Sequence, residues 1–244
     1  MLYLGSSRVH RSLDGGNEWE AISPDLTGGS RAGDVPYGTL TSLSESRRRF
    51  GLIWAGSDDG PVHVTRDGGV SWTDASDGLP ADYWVSRVEP GHHAEERAYV
   101  ALSGYRWDHF EAMLFRTYDF GANWTRIGED LPPEPINVVR EDPETEGLLY
   151  VGTDHGLYVS FDDGRHFMAF DGRTADTTGA ARLPAAPVHD LAIQDREADL
   201  AVGTHGRSIW IADIGLLRAM TPDVRARPAR LPRRLAHIRR GLGL

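Results

Sequence analysis

Four copies of one short pattern, Ser/Thr-x-Asp-x-Gly-x-x-aromatic, constrain how this chain can fold. They fall at Ser12, Asp14, Gly16 and Trp19; at Thr65, Asp67, Gly69 and Trp72; at Thr117, Asp119, Gly121 and Trp124; and at Ser160, Asp162, Gly164 and Phe167. Their Asp positions recur at intervals of 53, 52 and 43 residues. A repeat of this length is one supersecondary unit that cannot bury its apolar face alone and must stack on its neighbours; periods of about 40 to 50 residues are those of four-stranded propeller blades.

The residue types give each copy a local task. The Asp carboxylate accepts backbone N–H groups inside its own turn. The Gly takes the positive φ that other residues avoid, and the aromatic ring buries a large area between successive repeats. All sixteen positions therefore read as structural, and none as catalytic.

A second repeated unit, an apolar strand ending in a polar or Gly-rich turn, precedes the boxes at Leu52–Gly60 and Leu148–Gly156 and recurs at Asp199–Gly206, with looser copies at Leu2–Gly5 and Ala98–Ser103. Short alternating strands follow at Val62–Thr65, Met113–Thr117, Leu157–Ser160 and Ser208–Ile211. Period-two alternation bounded by Gly, Asp and Pro predicts antiparallel β-structure. Lettering the blade strands A to D from the axis outward, the first blade runs from Leu2 without an A strand, and three complete blades follow. Further A strands are predicted near Leu40–Ser44, Val85–Glu89, Ile136–Arg140 and Val188–Ile193, and the last blade ends at Asp213 without a recognisable D strand. The fold class is all-β: a β-propeller of about five four-stranded antiparallel blades, the first and last incomplete. Propellers usually have four to eight blades, so the segment either closes as a small ring or is an open arc of a larger one.

Composition narrows the function classes. The chain has 244 residues and a formal net charge of −10, with every basic residue Arg. An acidic balance argues against nucleic-acid binding, which needs a basic surface for phosphate. No run of about eighteen apolar residues offers a helical membrane span. With no Cys there are no disulfides, thiolate nucleophiles or Cys-bound zinc. The His residues fall into no HExxH or i, i+4 spacing, the Gly-x-Ser-x-Gly elbow is missing, and no cofactor or metal is expected. Residues 1–217 form the predicted propeller segment. The tail, 218–244, holds eight Arg against the single acid Asp223 and is expected to be disordered or weakly helical, with a short helix near Leu235–Arg240. The chain opens in a strand-like pattern without a signal peptide, and the expectation is a C-terminal piece of a longer protein whose upstream blades are missing.

The boxes resemble those of the Asp-box or BNR-repeat propellers, which include sialidases, xyloglucanase-type glycosidases, sortilin-like receptors and a photosystem II assembly factor. Leu149–Ser160, Gly203–Asp213 and Arg11–Gly16 with Ser23–Thr27 are similar to segments of large bacterial sortilin-like or YVTN/BNR-like proteins often labelled glycosyl hydrolases. The resemblance implies export of the full-length protein. It carries little about activity, because fold does not fix function.

In a propeller the B–C and D–A loops share one face, away from the boxes. The B–C loops hold Asp58, Asp59, Tyr105, Arg106, Trp107, Asp108, His109, Asp154, His155, His205 and Arg207; the D–A loops add Tyr83 and Trp84, and also Asp34, Tyr37, Asp82 and Glu134. Aromatic platforms among carboxylates and guanidinium groups suit sugar rings or extended peptides, and the Ser103–Phe110 insertion is the leading candidate. The principal expectation is a module binding protein, peptide or glycan. One alternative is the remnant of a glycoside hydrolase with two carboxylates about 5 to 9.5 Å apart, drawn from Asp58, Asp59, Asp108 and Asp154; another is a truncated fragment without independent function. The Arg-Ile-Pro motif of sialidases is absent.

Overall fold

The computed structural model describes residues 1–29, 38–170 and 183–220, and the backbone of 238–240. Five antiparallel sheets account for almost all regular structure. The first is three-stranded, β1 (Leu2–Gly5), β2 (Val9–Ser12) and β3 (Glu20–Ala21). The second orders β4 (Leu40–Glu45), β5 (Ile53–Ser57), β6 (Val62–Thr65) and β7 (Thr73–Asp74). The third orders β8 (Trp84–Pro90), β9 (Ala98–Gly104), β10 (His109–Thr117) and β11 (Thr125–Ile127). The fourth orders β12 (Ile136–Glu141), β13 (Leu149–Thr153), β14 (Leu157–Ser160) and β15 (Met168–Ala169). The last orders β16 (Val188–Gln194), β17 (Asp199–Thr204), β18 (Ile209–Asp213) and β19 (Ile238–Arg240).

Each predicted A strand is present, and the first sheet lacks one as expected. The last sheet differs. It carries an outer strand, β19, paired Trp210↔Arg240 and Ala212↔Ile238, in the segment expected to be disordered or weakly helical. The edge of β18 offers a row of free N–H and C=O groups, and an extended segment satisfies them whatever its charge. The rest of the Arg-rich tail, 221–237 and 241–244, lies outside the described residues.

The chain forms two compact units, Met1–Val139 and Arg140–Leu244. In the first, Leu52, Trp54, Val62, Val64, Val85, Val88, Val100 and Met113 form one buried cluster, and Val9, Ile22, Leu26, Leu40, Ile53 and Ala55 a second. β5 and β9 are buried along their whole length, which explains why they are nearly continuous apolar runs. Close approach between sheets selects Gly56: a Cβ there would lie 2.3 Å from Val85 Cγ1. Bulges between Leu40 and Ser42 and between Val85 and Arg87 turn Thr41 and Ser86 outward. Their hydroxyls donate to the next sheet, Thr41 to the Val85 carbonyl at 2.7 Å and Ser86 to the Ile136 carbonyl at 2.6 Å.

The second unit buries Leu148–Val151, Leu157, Val159, Val188, Leu191, Leu200 and Val202. After β18 the chain enters α1 (Gly215–Ala219), which buries Leu217. Arg218 on this helix donates Nε to the buried Asp142 carboxylate at 3.0 Å. The compact part of the chain thus runs past 217, where the sequence places the end of the propeller segment.

Candidate functional site

The four boxes share one hydrogen-bond pattern. Each Ser or Thr hydroxyl donates to its Asp Oδ1, at 2.8 Å for Ser12–Asp14, 2.7 Å for Thr65–Asp67 and Thr117–Asp119, and 2.9 Å for Ser160–Asp162. The same hydroxyl accepts the N–H of Gly16, Gly69, Gly121 or Gly164, and the Asp accepts N–H groups of the following turn. These bonds favour the charged form. The Ser71 hydroxyl, with N–H groups of the same turn, holds Asp67 down to about 2, and Asp14 and Asp119 are lowered in the same way by Glu18 N–H and by the Asn123 side chain. For Asp162 burial opposes the shift, but His166, 2.7 Å away, and the turn N–H outweigh it.

Two carboxylates of the predicted face also serve the chain's own turns. Asp58 and Asp59 are buried. Asp58 Oδ1 accepts Thr39 N–H at 2.8 Å, while Asp59 accepts the Ser57 hydroxyl on one oxygen and Gly28 N–H, at 2.8 Å, on the other. Both carboxylates thus bond backbone or side-chain donors of the first unit.

A different set converges. Tyr105–Trp107 form one 3-10 turn between β9 and β10, closed by Asp108 in the left-handed conformation, with its N–H on the Tyr105 carbonyl. This turn, the start of β10 and the Tyr83–Trp84 pair at the start of β8 bring six rings and a guanidinium together. Tyr83 stacks on His109 with centroids 5.2 Å apart and meets Trp107 edge-on at 6.0 Å. Tyr105 meets Phe110 at 5.9 Å, and the Arg106 guanidinium lies 4.3 Å from the centroid of Trp84. Tyr105, Trp107 and Phe110 expose about half or more of their surface. Arg106 forms no ion pair among the described residues; the nearby carboxylate, Glu111, lies 3.1 Å from Arg126 and 3.7 Å from His109. Two ring atoms in the cluster, Trp84 Nε1 and His109 Nδ1, are buried without a hydrogen-bond partner. A buried polar atom left without any partner costs about 1–3 kcal/mol.

Of the predicted site residues, Tyr83, Trp84, Tyr105, Arg106, Trp107 and Asp108 thus share one cluster. His109, placed in the same loop by the sequence, and Phe110, which closes the insertion, extend it. Asp154, His155, His205 and Arg207 belong to the second unit. Asp154 and His155 lie in the Thr153–Gly156 turn, and His205 and Arg207 in the Thr204–Ser208 turn, where Thr204 N–H meets the Ser208 carbonyl. Asp34 and Tyr37 lie outside the described residues. Among the described residues no three His, Asp or Glu side chains gather as a metal site.

No protein-family model matches the chain. A xyloglucanase of Paenibacillus sp is 29% identical over 189 residues, which is 72% of this chain and 16% of that protein. Among solved structures, the GH74 xyloglucanase from Xanthomonas campestris superimposes with a TM-score of 0.63 at 19% identity, over 86% of this chain and 34% of that one. A GH74 enzyme from Niastella koreensis gives 0.60 at 16% identity, again over 86% of this chain and 34% of its own. This chain spans about a third or less of the length of these proteins, and it has the all-β propeller fold that the GH74 structures share.

Proposed function

We propose that this chain is part of a carbohydrate-active propeller related to the GH74 xyloglucanases, and that the cluster of Tyr83, Trp84, Tyr105, Arg106, Trp107 and His109 binds a β-linked polysaccharide. The observation that carries this reading is the aromatic cluster itself. Flat exposed rings offer faces for the C–H surfaces of pyranose rings, and Arg106, oriented by stacking on Trp84, keeps N–H donors for sugar hydroxyls. The likeness to the Paenibacillus xyloglucanase favours a β-glucan over a peptide as the ligand.

A second reading is a sortilin-like or BNR-like binding module, in which the same cluster holds a glycan or peptide and nothing is cleaved. The engagement of Asp58 and Asp59 by backbone favours it over hydrolysis by this segment alone.

Incubation of the full chain with xyloglucan separates these readings. Release of reducing ends, with binding weakened about tenfold or more by Trp107→Ala or Tyr105→Ala, supports the hydrolase relationship. Binding without new reducing ends supports the module. Failure to bind xyloglucan or any other β-glucan overturns the first reading.

A further inference from the structure

One position of the repeat changes chemistry in the last sheet. In the second and third sheets the bulged residue of the inner strand is a hydroxyl, Thr41 or Ser86, and each donates to a carbonyl. In the last sheet the equivalent bulge falls between Val188 and Asp190, and the residue it turns outward is His189. The turn facing it changes too. Asp58 N–H donates to the Thr39 carbonyl just before β4, and the matching bond just before β16 is His205 N–H to the Pro187 carbonyl, at 2.8 Å. Where the second sheet has Thr41 and Asp58, the last therefore has two imidazoles.

The His189 and His205 rings are neighbours, with centroids 5.3 Å apart and planes inclined at 43°. An imidazole nitrogen binds zinc at about 2.0–2.1 Å and the ring centroid lies about 1.1 Å beyond it, so two rings on one tetrahedral ion stand about 5 Å apart. The observed separation matches that requirement. Both residues are exposed, so an ion can reach them. Their backbones are fixed: a bulge re-aims its side chain at a set angle, and the His205 turn is closed by Thr204 Oγ1 donating to the Ser208 carbonyl at 2.6 Å. The neighbouring Asp190 carboxylate already accepts Leu191 N–H and lies 3.4 Å from Arg140.

We propose that His189 and His205 form a two-imidazole chelate for a divalent first-row transition cation, with zinc, nickel and copper the ions such ligands prefer. Two protein ligands leave the remaining positions to solvent or to oxygen donors of a bound ligand. The site is distinct from the aromatic cluster and does not depend on the polysaccharide reading.

Titration of the full chain with zinc chloride, followed by calorimetry, tests it. One site per chain is expected, and His189→Ala and His205→Ala should each weaken it about tenfold or more, since a chelate loses its advantage when either arm is removed. His155→Ala, another exposed imidazole of the same unit, should leave it unchanged. Copper(II) bound to the unaltered chain should show electron-spin resonance coupling to two nitrogens, a readout independent of how the variants fold. Zinc affinity that is unchanged in both variants, or coupling to a single nitrogen, overturns the proposal.

Discussion

The Trp72 indole Nε1 donates to the Ile22 carbonyl at 2.8 Å, across 50 residues of sequence. One repeat later Trp124 Nε1 donates to the Ala75 carbonyl at the same distance. Ile22 and Ala75 each follow the outer strand of the preceding sheet, and each also packs on the box glycine: a Cβ on Gly69 or Gly121 would meet Ile22 or Ala75 within 3 Å. In these two boxes the glycine and the tryptophan together form a socket for the previous sheet. The first box is built alike, but Trp19 Nε1 turns back to its own Gly16 carbonyl at 3.0 Å, and the ring is 42% exposed.

This difference sets unequal costs for one substitution. Trp72→Phe and Trp124→Phe each leave a carbonyl between sheets without its donor and should destabilise by about 1–3 kcal/mol. Trp19→Phe loses only an exposed bond within its own turn and should fall within about 0.5 kcal/mol of the parent. Urea midpoints of the three variants decide the matter, and equal shifts would remove the distinction between sockets.

Gly56 sets a second test of packing between sheets. Gly56→Ala places a methyl group where Val85 Cγ1 already stands, and overpacking of this kind costs about 1–3 kcal/mol or more. Val85→Ala alone should also destabilise, by opening a cavity. The double variant should be more stable than the two single costs added together, because each change relieves the other. Additive costs in a double-mutant cycle would show that the sheets part freely at this point.

Much of this architecture was legible in the sequence because it rests on local chemistry. Asp67 and Trp72 sit at fixed offsets in a turn that satisfies itself, so four copies disclosed both the period and the strand order. The candidate site was only partly legible. Trp84 and Arg106 were both marked as loop residues, yet their stacking depends on how two loops of one sheet fold over each other, which no spacing records. Asp58 and Asp59 look identical in sequence whether they face solvent or hold Thr39 and Gly28; only burial decides. His189 was missed because a bulge leaves no mark in an alternating pattern. β19 was missed because three residues of an Arg-rich segment pair with an edge through backbone alone.

The boxes also give the fold an acid limit. Asp14, Asp67, Asp119 and Asp162 are all lowered in the folded chain, Asp67 from 3.8 to about 2. A carboxyl group with a depressed folded value stabilises the fold above its unfolded value and loses that contribution as pH falls through the folded one. Thermal midpoints should therefore hold steady down to about pH 4 and fall between about pH 4 and pH 2. Replacing the four Asp by Asn should lower the midpoint at pH 7 and flatten its acid slope; a slope equally steep without them would assign acid sensitivity to other carboxylates.

Arg218 carries the last prediction. Its side chain is 10% exposed and that of Asp142 is fully buried. Asp142 also accepts the Glu144 and Thr145 N–H groups and the Tyr150 hydroxyl. Burial, followed by the charge of Asp142, pushes the Tyr150 phenol well above its usual range, so it serves this carboxylate as a neutral donor. Removing the guanidinium leaves a buried carboxylate without its countercharge, which costs about 3–5 kcal/mol. Arg218→Gln should therefore destabilise the second unit, where Arg196→Gln, an exposed pair with Glu197, should change stability by less than about 1 kcal/mol. A chain ending at residue 217 should lose at least as much as Arg218→Gln, since it also lacks β19, and one ending at 220, equally without β19, should retain the Arg218 contribution. Hydrogen exchange of the β13 and β14 amides reads the effect in the unit concerned. If protection there is the same for chains ending at 217 and at 220, the Arg218–Asp142 pair does not hold this part of the fold together.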